Sequence, residues 1–96
     1  MKDGAPSEEE LQTLSPKLKG DEWKKLGRVL KFEDAELTAF DRQNPEYSEK
    51  AYEMLLKWKQ RHGSSATYQV LYTALCDKLV ERRDLAEKIC CIKKRN

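Results

Sequence analysis

Ninety-six residues suffice for one compact domain and leave little room for a second. Nineteen basic and seventeen acidic groups nearly cancel, to a net charge of +2, which excludes a large attractive field toward nucleic acid or membrane and makes charge a local matter. Charged residues at 38% and apolar ones at 39%, with aromatics among them, exclude disorder throughout and suit a small helical domain with a heavily solvated exterior.

Residues 1–6 read as a loose, proline-bearing lead-in. Ser7 with Glu10 forms a capping box, Glu8 and Glu9 add first-turn negative charge, and Leu11, Leu14 and Leu18 recur at helical spacing. Pro16 falls inside that run, so the first helix is expected to be short or bent. Gly20 and Asp21 punctuate and cap a second helix, whose stripe is Trp23, Leu26, Gly27 and Leu30. Gly27 lowers helix propensity there, which predicts a close helix crossing.

A third helix follows in FEDAELTAFDRQ, with Glu33 as cap, Phe32 and Leu37 as staple, and Phe40 continuing the face. NPEYS is a loop, because Pro45 pushes Asn44 out of helical geometry; Ser48 is expected to cap the next helix, stapled by Tyr47 and Tyr52. That helix, about 48–62, carries Ala51, Tyr52, Met54, Leu55, Leu56 and Trp58 on a wide apolar arc, and Gly63 ends it. It is expected to be the central helix. Ser65 or Thr67 caps a fifth helix with the stripe Tyr68, Leu71, Tyr72, Leu75 and Leu79. VERRD turns the chain into a last helix bearing Leu85, Ala86, Ile89 and Cys90. The prediction is an all-α, antiparallel six-helix bundle with short connections.

The stretch LLKWKQRHGSSAT sets Lys57, Lys59, Arg61 and His62 around Trp58, which suits either a nucleic-acid grip or the outside of a packed helix. Burial of an indole is worth up to about 4 to 6 kcal/mol, whereas stacking on a base yields roughly 1 to 3. Trp58 is also in phase with Met54 and Leu55, so it belongs to the core and the cations to a solvated face. His62 sits in a last helical turn, where positive charge is favoured. Cys76 and Cys90 read as buried thiols and Cys91 as exposed. An odd cysteine count with two of the three adjacent argues against a disulfide framework and for a reducing compartment.

The cysteine spacing does not suit a zinc finger, and no phosphate loop, nucleophile elbow or acid/base pair is visible. Neither catalysis, nor a metal, nor a cofactor is expected. No apolar run approaches the roughly eighteen residues that span a bilayer, and MKDGAPSEEE has no signal-peptide core. The inner part of a membrane receptor stays compatible with that reading.

Trp23, Leu26, Gly27, Leu30, Phe32 and Leu37, then Asn44-Pro45, Ala51, Leu55, Trp58, Gly63, Ala66-Thr67, Leu71, Ala74-Leu75, and Leu85-Ala86 with Ile89, together resemble a death domain over residues 8–90. KWKQRHGSSAT and LAEKI stand in the family's order and spacing. The sequence departs from the pattern at Pro16, and at Glu33, where the family more often has a small hydroxyl cap. The resemblance implies a Greek-key bundle at residues 7–92, followed by a basic tail at 93–96. It also implies homotypic binding of other death-domain proteins, self-association into larger oligomers included, in apoptotic or inflammatory receptors and adaptors.

Two charged surfaces are the candidate protein-binding sites. One joins Lys24, Lys25, Arg28 and Lys31 to Glu33, Asp34, Glu36 and Asp41; the other comprises Glu49, Lys50, Glu53, Lys57 and Arg61 of the fourth helix. Complementary charge on a partner would steer encounter and reject wrong partners. Two other readings remain open: a structural death domain in a scaffold or nuclear protein, and a helical nucleic-acid binder using Lys24, Lys25, Arg28 and the terminal KKR.

Overall fold

The computed structural model describes residues 1–91, and the expected basic tail at 93–96 lies outside them. Helix α1, Glu8–Leu14, opens with the reciprocal capping box: Ser7 Oγ accepts from the Glu10 N–H at 3.1 Å, and Glu10 accepts from the Ser7 N–H at 2.9 Å. Pro16 ends it as anticipated, because the chain tightens into a 3₁₀ turn at Ser15–Lys17 that carries Leu18 back into the core. Helix α2, Glu22–Val29, buries Trp23, Leu26 and Gly27. Asp21 starts it through its backbone carbonyl, which accepts from Lys24 and Lys25, and not through its side chain.

Helix α3, Asp34–Gln43, has Glu33 at the predicted N-cap position, and Glu36 accepts from the Glu33 N–H at 3.1 Å. Phe32 and Phe40 meet edge to face at 5.7 Å. Helix α4, Tyr47–His62, begins earlier than Ser48, with Glu46 at the N-cap position. Of the two tyrosines expected to staple that entry, Tyr52 packs against the core, while Tyr47 is exposed and donates its hydroxyl to the Pro16 carbonyl at 3.1 Å. Gly63 closes the helix at φ +54°, a backbone that L side chains rarely adopt.

Thr67, not Ser65, caps helix α5, Tyr68–Leu75, by accepting from the Val70 N–H. The α5 stripe stops at Leu75. Leu79 lies beyond the helix and is 55% exposed, while its neighbour Val80 fills the core instead. Helix α6, Arg83–Cys90, buries Leu85, Ala86, Ile89 and Cys90.

Helix α4 is central as predicted, packing on α1 and its 3₁₀ turn, on α2 and on α3; α5 pairs with α6, which also touches α1. Trp58 is 2% exposed, inside one continuous core that includes Leu11, Leu26, Leu37, Met54, Leu55 and Leu71. Among the described residues the fold is therefore the expected six-helix Greek-key bundle with no strand. No helix among them is long and apolar enough to cross a membrane.

The lead-in is the clearest departure from expectation. Pro6 is buried, the Lys2 N–H donates to the Cys90 carbonyl at 2.8 Å, and the Gly4 carbonyl accepts from the Tyr68 N–H at 2.9 Å. Residues 2–6 thus strap α5 and α6 together. Composition alone suggested looseness because it says nothing about which carbonyls lie nearby.

Candidate protein-binding surface

The charged residues singled out from sequence sort into three groups according to what they touch. The first group joins helices. Asp41 on α3 accepts from Lys50 of α4 at 2.6 Å and from Lys24 of α2 at 3.5 Å, tying three helices at one carboxylate. The hydrogen bond from Lys50, then the charges of Lys50 and Lys24, outweigh desolvation and hold the Asp41 pKa below its ordinary value. Glu36 pairs with Arg61, linking α3 to α4; that contact lowers the Glu36 pKa and raises that of Arg61. Arg61 also lies 4.9 Å from the centre of the Phe32 ring. Glu53 accepts from the Asn44 side-chain amide at 2.5 Å, closing the α3–α4 loop.

The second group is one solvent-facing pair. Arg28 Nε lies 3.2 Å from Asp34 Oδ1, with side chains 49% and 80% exposed. Such pairs are worth roughly 0 to 1 kcal/mol in water, so a partner can exchange them at little cost.

The third group holds no side-chain ion pair among the described residues: Lys25, Lys31, Glu33, Glu49 and Lys57, all exposed. Glu33 is occupied as the α3 cap. Lys31 sits at φ +75°, just past α2, where its N–H bonds the Arg28 carbonyl and the Phe32 N–H bonds that of Gly27. This is the hydrogen-bond pattern that commonly places glycine at such a position.

The expected bipolar patch on α2 and α3 is thus largely neutralised from within. Lys24, Asp41, Lys50, Glu36 and Arg61 brace helices, and the accessible charge narrows to Lys25, Arg28, Lys31 and Asp34 on one surface, with Glu49 and Lys57 on α4. Sequence reading overlooked Arg82, which donates to Glu22 at 2.6 Å, to the Lys17 carbonyl at 3.2 Å and to both oxygens of Asp84 at 3.0 Å. It binds the 3₁₀ turn and the starts of α2 and α6 together. A basic residue in a turn gave no signal for it, since its partner Glu22 lies sixty positions away.

The interior is apolar, no buried side-chain nitrogen or oxygen among the described residues lacks a partner, and the ionisable groups sit outside, mostly bracing one another. Charged outer faces of this kind suit pairing with complementary charge on another protein. The sequence matches the death-domain family over residues 8–91, and the chain belongs to that family, whose members are protein–protein interaction modules that associate with other death domains. Among curated proteins, Tumor necrosis factor receptor superfamily member 10B of Mus musculus is 38% identical over 69 residues, covering 72% of this chain. The chain spans only 18% of that relative's length.

Proposed function

We propose that this domain recruits other death-domain proteins in apoptotic or inflammatory signalling, from the cytoplasmic tail of a receptor or from an adaptor. The observation that carries the reading is the exposed Arg28–Asp34 pair flanked by Lys25 and Lys31. It offers both signs of charge on one surface, weakly held within the chain and free to pair across an interface. The similarity to a receptor of the tumor necrosis factor superfamily supports the receptor setting.

Recognition proceeds by complementary charge. An incoming domain with acidic side chains meets Lys25, Arg28 and Lys31, and one with basic side chains meets Asp34; encounter is accelerated and like-charged competitors are repelled. Glu49 and Lys57 on α4 supply a second, non-identical surface. Contacts between unlike surfaces do not close on themselves, so they extend into larger assemblies.

Affinity capture from cytoplasmic lysate with the wild-type domain beside Arg28→Glu tests the reading. The wild type is expected to retain proteins that carry death domains, and the variant to lose them while keeping its helicity. A captured set without any death-domain protein, or one that both baits retain equally, overturns it.

A further inference from the structure

On the opposite charge logic from the α2–α3 surface, a pocket of about 510 Å³ lies between the 3₁₀ turn and α6. Lys17, Lys19, Arg82 and Lys88 line it with a single carboxylate, Asp84. On its own helix Lys88 is four residues beyond Asp84, a spacing at which an acid and a base on one face pair. Here that partner is taken: Arg82 grips both Asp84 oxygens at 3.0 Å and Glu22 at 2.6 Å. Lys88 and Lys17 line the same pocket, and neither ammonium has a carboxylate partner among the described residues. The nearby Lys17 side chain and its like charge hold the Lys88 pKa below the ordinary lysine value.

Two long, flexible side chains on a protein surface would ordinarily swing apart to water. The backbone beneath Lys17 is fixed, because Pro16 precedes it and Arg82 binds its carbonyl at 3.2 Å. The pocket thus gathers uncompensated positive charge in a chain whose total is only +2. A group with two negative charges and several acceptor oxygens would relieve both ammoniums at once, which a single carboxylate cannot do. The volume exceeds what an inorganic ion fills and falls within the range of small-ligand sites.

We propose that this pocket binds a phosphate monoester, between Lys17 and Lys88 with Lys19 at the rim, borne by a small organic phosphate or by a lipid headgroup. The site is independent of the partner-binding surface and does not rest on it.

The test is a titration of the domain with inorganic phosphate at constant ionic strength, followed by amide and lysine side-chain resonances. Co-sedimentation with phosphatidylcholine vesicles, with and without phosphatidylinositol 4-phosphate, forms a second arm. Saturable shifts at Lys17, Arg82 and Lys88 are expected, with binding roughly tenfold weaker in Lys17→Gln and in Lys88→Gln. Lys78→Gln, an exposed lysine away from the pocket, should bind as the wild type does. Phosphate binding without vesicle binding identifies a soluble source, and binding to both identifies a headgroup. Absence of saturable shifts, or equal affinity in all three variants, overturns the proposal.

Discussion

At Gly27 a single missing carbon decides how two helices meet. A Cβ there would lie 2.5 Å from Leu37 Cδ2, and Leu37 is itself buried, so its side chain must shift within the core. Gly27→Ala gains up to about 1 kcal/mol of helix propensity but overpacks at a cost of about 1 to 3 kcal/mol. A net loss near 1 kcal/mol is expected in denaturant unfolding, and adding Leu37→Ala should cost less than the sum of the two changes. Lys31 presents the reverse case. Its left-handed backbone is unfavourable for a side chain, so Lys31→Gly should stabilise the domain by about 0.5 to 1 kcal/mol. A lower melting temperature in that variant would show that the lysine side chain contributes more to the fold than its exposure suggests.

Between elements, stability depends on polar ties that cross long stretches of chain. Burial pushes the Glu10 carboxyl up, but hydrogen bonds from Lys2, the Ser7 N–H and the Tyr68 hydroxyl outweigh it and bring the pKa down from 4.5 to about 2. Because the folded value is depressed, this tie stabilises the domain fully above pH 4.5 and is lost as pH falls through about 2. Tyr68 has the opposite sign: burial, and then its bond to Glu10, push the phenol from 10.0 up to about 12, so its contribution is complete below pH 10 and fades as pH rises through about 12. Unfolding midpoints measured against pH should drop steeply between pH 4.5 and 2 in the wild type. The same curve for Glu10→Gln should start lower at neutral pH and fall less, and parallel curves would rule the strap out as the origin. Arg82→Lys keeps the charge but loses the two-pronged grip on Asp84 and the bond to Glu22 or to the Lys17 carbonyl; a loss of about 1 to 2 kcal/mol is expected by the same unfolding assay.

For the whole molecule, the division of charged residues into braces and free groups predicts two classes of variant. Arg28→Glu and Asp34→Arg should abolish partner capture while unfolding within about 0.5 kcal/mol of the wild type. The double reversal restores the internal pair with its signs exchanged, so it should fold equally well and still fail to bind. Asp41→Lys should instead lower the melting temperature, because it sets three cations together where α2, α3 and α4 meet. If Asp41→Lys melts normally and only capture suffers, the assignment of Asp41 as a brace is wrong.

Burial repeats with the helical period, and that repeat lies within a few consecutive residues. All six helices, the central place of α4, the core position of Trp58 and the break at Pro16 could be read from it for that reason. Local hydrogen bonding explains the Ser7 and Glu33 caps in the same way. Leu79 reads as inward in the sequence because an apolar residue in phase looks the same whether its helix continues to it or ends at Leu75.

The polar ties between elements obey no such period. Arg82 with Glu22 and Arg61 with Glu36 join residues 60 and 25 positions apart, as the Tyr68 hydroxyl joins the Glu10 carboxylate across 58, and only the folded backbone decides which groups fall within reach. Amphipathic spacing determined which side chains face water. The packing of the helices decided which of those charges are consumed as braces and which stay available, because a Coulomb contact depends on distance through space and not along the chain.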